Sequence, residues 1–411
     1  MLRYLAFISI MILLLASCKT ETSKSEPAVL DNNRHTAIIK IKNPSTLNSS
    51  LPRLFSDGEN LLMSWIQNKD SIVSLKYSKF NGINWTAPTE IISGSDWFVN
   101  WADFPAIAYN NGSILTNILK KSAEGTYTYD IHLQLYSKQK NTWKNNILLN
   151  QDGIKSEHGF VSMLPYNNDS FFVTWLDGRT LVGVPKENEQ MTLRVAFIDA
   201  EGEITNDILL DDKTCECCNT AATMTANGPI VAYRDRSDTE IRDISLVRFV
   251  NGNWTAPKNV YQDHWEIPGC PVNGPAIDSF NDAVVLAWFT AENDNPRIQV
   301  SFSENQGETF GLQYRVDNGN AIGRVDAVML DQNNAVVSWM EPDGIDTLIQ
   351  ILKVSSNGEK NIPITITKTR SERSSGFPQL ELVGDRLYVA WTSLEDKKPA
   401  IKIVTVLASD L

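Results

Sequence analysis

The sequence predicts an all-β protein, a β-propeller of seven four-stranded blades closed by a strand from the N-terminal side. Three features carry this expectation. A unit with a period near fifty residues recurs along the chain, which is the mark of a propeller or solenoid. Each unit holds a short strand, a turn of Asn, Gly or Asp, and an apolar strand ending in most cases in an aromatic, followed by a third and a weaker fourth strand. The last unit stops one strand short, and a spare strand stands near the start of the chain. Six blades plus an irregular segment is the alternative count.

Taken in order, the chain opens with Arg3 and an apolar run from Tyr4 to Leu15 that leads into Leu15-Ala16-Ser17-Cys18. The run is too short for an ordinary membrane span and reads as a secretory signal over residues 1–17. The small residues before Cys18 resemble a bacterial lipobox, so Cys18 is expected to carry lipid and become the new N-terminus. Residues 18–34, rich in Ser, Thr, Glu and Lys, read as a flexible tether, and 35–411 as one domain. The expected location is outside the cytoplasm, as a monomer held by lipid to a membrane, the outer membrane being the expected one. A formal net charge of −12 argues against nucleic acid as a partner and against adhesion to acidic lipid surfaces.

The repeating units run from Leu54 to Trp65, Ala106 to Leu119, Val161 to Trp175, Ala222 to Tyr233, Ala276 to Trp288, Val325 to Trp339 and Leu380 to Trp391. The second lacks the closing aromatic. In the seventh, Ala400 to Leu407 is the third strand, and Thr36 to Ile41 is expected to supply the fourth, which removes an exposed sheet edge. In such a meander the turns joining strands one to two and three to four share a face. These are bland hairpin turns, such as Asp57-Gly58, Asn111-Gly112 and Asn251-Gly252. The opposite face receives the blade-to-blade connections and the two-to-three loops, and there the unusual residues gather: Trp101, Asp103, His158, Asp177-Gly178-Arg179, the 215–218 cluster, the 234–243 run, Asn273, and Arg324 with Asp326.

Five of these residues, Arg179, Arg234, Arg236, Arg242 and Arg324, carry guanidinium groups that could clamp a carboxylate or phosphate, or could pair with neighbouring acids to hold loops. Trp101, Asn273 and Asp326 complete the expected binding rim. Asp103, between Trp101 and Phe104, is the candidate general acid, since apolar walls raise a carboxyl pKa; capping of the incoming strand is its other reading. Tyr233 stands where other blades place Trp, which suits a core position as well as a nucleophile.

Cys215, Cys217, Cys218 and Cys270 are an even set in a chain expected to be exported, which favours disulfides. The three close cysteines make a second bridge awkward, and that leaves open a thiolate metal site helped by His158 or His264. Cys-x-Cys-Cys is not a usual zinc spacing, so disulfides are the expectation and no metal is assigned. No phosphate loop, dinucleotide fingerprint, Gly-x-Ser-x-Gly elbow or zincin helix occurs, and no cofactor is expected.

Ser303-Glu304-Asn305-Gln306-Gly307-Glu308-Thr309-Phe310 resembles the Asp-box, Ser-x-Asp-x-Gly-x-Thr-Trp, of sialidases and related BNR-repeat propellers, with Asn305 for Asp and Phe310 for Trp. The chain is also similar to exported bacterial proteins labelled sialidase-like, through Trp175-Leu176-Asp177-Gly178-Arg179, Tyr233-Arg234-Asp235-Arg236 and the 269–275 turn. That resemblance implies a sialidase-like glycoside hydrolase with three arginines on the substrate carboxylate, an Asp acid and a Tyr nucleophile paired with Glu. Mapped onto this chain, these would be Arg179, Arg234 and Arg324, Asp103, and Tyr233 with Glu240. The expected partner is an acidic glycan or other anionic small ligand. A non-catalytic surface propeller binding a polysaccharide or protein, and a metal or redox site on the cysteines, are the other readings.

Overall fold

The computed structural model describes residues 36–411. The signal, Cys18 and the tether expected upstream lie outside the described residues. Seven antiparallel sheets follow one another along the chain, each a meander. Blade 1 spans 49–94, blade 2 107–148, blade 3 158–214, blade 4 221–259, blade 5 276–315 and blade 6 323–369. Blade 7 is built from Gln379–Val383, Arg386–Glu395 and Lys398–Leu407, with Ile39–Lys40 as its outer strand. The count of seven and the closure by the N-terminal strand are as the repeats predict. Among the described residues no helix is long and apolar enough to cross a membrane.

The second strand of each blade is apolar on both faces because it lies between neighbouring blades. Blades 2 and 3 share one buried cluster through Leu115, Ile131, Val173 and Trp175; blades 5 and 6 share another through Ala287, Val300, Val337 and Trp339. Trp65, Trp175, Trp288 and Trp339 are fully buried, and a buried indole usually finds a partner for its N–H. Trp175 donates to Asp177 at 2.8 Å, Trp288 to Asp263 at 2.6 Å and Trp339 to Glu341 at 3.0 Å. In blades 3, 5 and 6 the closing tryptophan is thus tied to an acid on the loop face.

The first strands line a central cavity of about 250 Å³. Their side chains stitch each blade to the next. Asp278 accepts the Met329 N–H at 2.7 Å, Asp326 accepts the Leu380 N–H at 2.8 Å, and Ser162 donates to the Thr220 carbonyl at 2.8 Å. The seam of the ring is closed by Ile39 opposite Thr405, by the Ile41 N–H on the Ile403 carbonyl at 3.0 Å, by Asn43 on the Ile401 carbonyl at 2.8 Å and by Thr36 on the Asp410 carbonyl at 3.0 Å.

One irregularity recurs where blades 1, 3 and 6 begin. Leu51, Phe160 and Arg324 have φ near +54°, each inside a β-bulge of the first strand. A bulge leaves one N–H outside the ladder, and here a side chain from another blade accepts it. Thr392 takes the Leu51 N–H at 3.0 Å, Asp103 the Phe160 N–H at 2.7 Å, and Asn273 the Arg324 N–H at 2.8 Å. Gly159 and Gly323 precede two of these residues because a Cβ there would collide with Asp103 and Asn273 respectively.

The turn at 303–310 is held by Ser303 and Asn305. Asn305 accepts the Thr309 N–H at 2.9 Å and the Ser303 hydroxyl at 2.9 Å, so an amide suffices in this turn.

Candidate functional site

The loop face is organised by the connection between blades 1 and 2, which crosses the mouth of the cavity. Trp101 stacks on Phe377 of blade 7 at 5.8 Å, and the Arg324 guanidinium lies 4.8 Å from the Trp101 ring. Asn219, before blade 4, donates to the Ala102 carbonyl at 2.7 Å. Trp101, Asp103, Asn219, Asn273 and Arg324 therefore form one connected mouth, assembled from segments more than two hundred residues apart.

The five expected arginines all lie on this face, and each is engaged by the protein. Arg234 is 1 % exposed and donates to the carbonyls of Asn273, Arg242 and Phe289 at 2.6–2.9 Å, with its guanidinium against Trp265. Arg324 holds the 371–376 loop through Ser375 at 2.7 Å and the Gly376 carbonyl at 2.8 Å, and burial lowers its pKa to about 10. Neither has a carboxylate partner. Arg179 is bidentate on Asp177 at 2.8 Å and also reaches Asp152 and Asp207. Arg236 and Arg242 share Glu216 and Glu240. Pairing with neighbouring acids thus holds for Arg179, Arg236 and Arg242, while Arg234 and Arg324 bond to carbonyls instead. Asp243 instead caps the His264 and Trp265 N–H groups at 3.0 Å, and Asp326 lines the cavity wall below the mouth.

Tyr233 and Glu240 are not brought together. Tyr233 is buried and gives its hydroxyl to Asp211, burial raising its pKa well above the usual phenol value. Glu240 accepts Arg236 and Arg242 at 2.7 and 2.8 Å, and the Arg236 bond leads in holding its pKa low.

Asp103 joins a carboxyl pair that spacing alone does not reveal. It is 2 % exposed, and burial raises its pKa to about 8 against the Phe160 N–H bond that opposes the shift. The Tyr129 hydroxyl lies 3.2 Å from Asp103 and 2.8 Å from Glu157, so one phenol bridges both groups. Glu157 is the half-buried member, and burial raises its pKa to about 7. Phe98 stacks on Tyr129 at 4.2 Å and supplies the apolar wall. At neutral pH the pair holds at least one proton. Tyr129 and Glu157 come from blade 2 and from the connection into blade 3, and no residue pattern in the sequence links them to Asp103.

The expected disulfides are not found among the described residues. Cys215, Cys217, Cys218 and Cys270 are free thiols. Cys-x-Cys-Cys folds three sulfurs onto one turn, with Cys215 3.5 Å from Cys218 and 3.9 Å from Cys217, too far for S–S bonds of about 2.05 Å. Cys270 is exposed and stands outside the three sulfurs that lie within 4.8 Å of one another, and the Cys217 sulfhydryl lowers its pKa. The Cys215 pKa is lowered by the Cys217 and Cys218 sulfhydryls and then by Arg242, whose guanidinium is 3.2 Å from its sulfur; burial raises that of Cys218. His158 does not join the cysteines. It sits with Asp152 and Asp177, 3.2 and 3.7 Å away, where Arg179 already supplies the positive charge.

No protein-family model matches the chain, and no match to a curated protein was found. Among solved structures, the polysaccharide lyase Uly1 aligns over 90 % of this chain and 98 % of its own with a TM-score of 0.51 at 9 % identity. An alpha-L-arabinanase from Penicillium chrysogenum aligns over 92 % of this chain and 98 % of its own, with a TM-score of 0.48 at 11 % identity. The Hadza microbial sialidase Hz136 aligns over 71 % of this chain and 63 % of its own, with a TM-score of 0.42 at 13 % identity. At these identities the likeness is one of fold.

Proposed function

We propose that the protein is a carbohydrate-active propeller that binds a glycan across the loop face and cleaves it by proton transfer at Glu157. The observation that carries this reading is the Asp103–Tyr129–Glu157 cluster. A general acid must hold its proton near neutral pH and still reach its substrate. Glu157 has the exposure, and Asp103 and Tyr129 behind it keep the shared proton in place. The cavity mouth is filled by Trp101, Phe377 and Arg324, so the glycan lies on the rim, along the 94–107 and 148–158 connections, and does not enter the channel.

In its sharpest form the substrate is an acidic glycan and the reaction a sialidase-like hydrolysis. A sugar carboxylate would then be met by Arg179 and Arg236, whose side chains keep 21 % exposure and whose acids would have to yield to it. The chain works outside the cytoplasm as a monomer anchored through lipid on Cys18 at the outer membrane.

The test is turnover of neutral and acidic chromogenic glycosides and of uronate-containing polysaccharides by purified protein. Glu157→Gln is expected to lower kcat by about 10²–10⁴-fold with KM little changed. Turnover that survives this substitution, or no turnover of any member of the panel, defeats the enzymatic reading. Binding without turnover on a glycan array would make the protein a lectin-like propeller.

A further inference from the structure

We infer that Cys215, Cys217 and Cys218 form a thiolate site for one soft d10 cation, Cu(I), with Cys270 at its open side. This goes beyond the glycan reading and does not depend on it.

The first argument is spacing. Sulfurs held at about 2.3 Å from a common ion stand about 3.8–4.0 Å apart in tetrahedral or trigonal arrangements. The observed separations are 3.5 and 3.9 Å, with all three sulfurs within 4.8 Å of one another. A small adjustment centres an ion among them.

The second is charge. Arg234 is buried and bonded to three carbonyls and to no acid, one of them the carbonyl of Asn273, whose own N–H meets the Cys218 sulfur. An uncompensated buried guanidinium is costly. Arg242 donates to the Cys215 sulfur at 3.2 Å. Three thiolates and one Cu(I) carry a net charge of −2; Arg234 offsets one of these charges, Arg236 and Arg242 being already matched by Glu216 and Glu240. Three protons leave the thiols when the ion binds.

The third is support and access. The Asn273 N–H points at the Cys218 sulfur at 3.4 Å, the kind of outer contact that orients a metal ligand. Cys215 and Cys218 are buried, Cys217 is half-buried and Cys270 is exposed, so Cys217 is the side of the cluster that an ion reaches from solvent. The donor set is sulfur alone, which selects a soft ion, and three sulfurs suit Cu(I), whereas tetrahedral Zn(II) would need Cys270 as a full ligand.

The experiment titrates the reduced full chain with Cu(I) against bathocuproine disulfonate and reads the coordination shell by X-ray absorption. One Cu(I) per chain with a sulfur-only shell is expected. Cys215→Ser and Cys218→Ser abolish it, and Cys270→Ser keeps the stoichiometry. Arg242→Gln weakens binding roughly 10–100-fold while the metal-free melting curve stays cooperative, which separates a lost ligand environment from a lost fold. The inference is overturned if the reduced chain retains no Cu(I), if the shell contains nitrogen or oxygen, or if mass spectrometry of alkylated native protein finds two of the four cysteines joined.

Discussion

At the scale of single residues, Asp103 and Asn273 do the same structural work, each accepting the N–H of a left-handed residue in the first strand of a later blade. An amide therefore satisfies that geometry, and Asp103→Asn should fold. What changes is the proton. Asp103 and Glu157 have pKa values raised by burial to about 8 and about 7, above those of the unfolded chain. The folded protein thus keeps protons that the unfolded chain gives up. Their contribution to stability is full below about pH 4 and is lost as pH rises through the folded values, by about 1.4 kcal/mol per pH unit for each proton held. Urea melts should show wild type weakening between pH 5 and pH 8 and Asp103→Asn following a flatter course. Asp103 was legible in the sequence because Trp101 and Phe104 flank it. Tyr129 and Glu157 were not, since their meeting depends on a connection crossing the top of a blade, and no spacing encodes that.

At the scale of elements, the tryptophan that ends a second strand and the acid beyond it are one unit. Asp177 takes the Trp175 indole N–H and the Arg179 fork while fully buried. Asp177→Ala strands the Trp175 N–H and leaves Arg179 with only its longer contacts to Asp152 and Asp207, and should cost about 3 kcal/mol, the low end for removing one partner of a buried pair. Asp207, the more exposed acid on Arg179 and Arg194, should cost no more than about 1 kcal/mol when replaced by Ala. Guanidinium chloride midpoints compare the two. Strand positions were readable because a second strand buried on both faces must be apolar and its turns must be Asn, Gly or Asp. The arginines were readable as a group on one face but not as individuals. Arg234 and Arg324 bond to carbonyls of distant loops, and local sequence shows only the nearby aspartates.

At the scale of the whole molecule, seven similar blades share the load, and the seam in blade 7 differs from the six other junctions in joining the two ends of the described chain. Deleting residues 36–43 should cost roughly 1 kcal/mol for each hydrogen bond removed. It should also lower hydrogen-exchange protection along the edge of Lys398–Leu407 that faced the removed strand, while its pairing with Arg386–Glu395 and the second strand of blade 3 stay protected. The blade count was legible because each repeat writes its own strand pattern, whereas the bulges at Leu51, Phe160 and Arg324 were not, since their acceptors belong to other blades. The Thr36–Asp410 bond spans 374 positions. Because Ile39–Lys40 runs antiparallel to Lys398–Leu407, residues 36 and 411 leave the blade at the same corner. A force drawing them apart would load the seam one bond at a time, as a zipper is loaded, and never all at once in shear. Force applied at residue 36 is therefore expected to open this seam strand bond by bond.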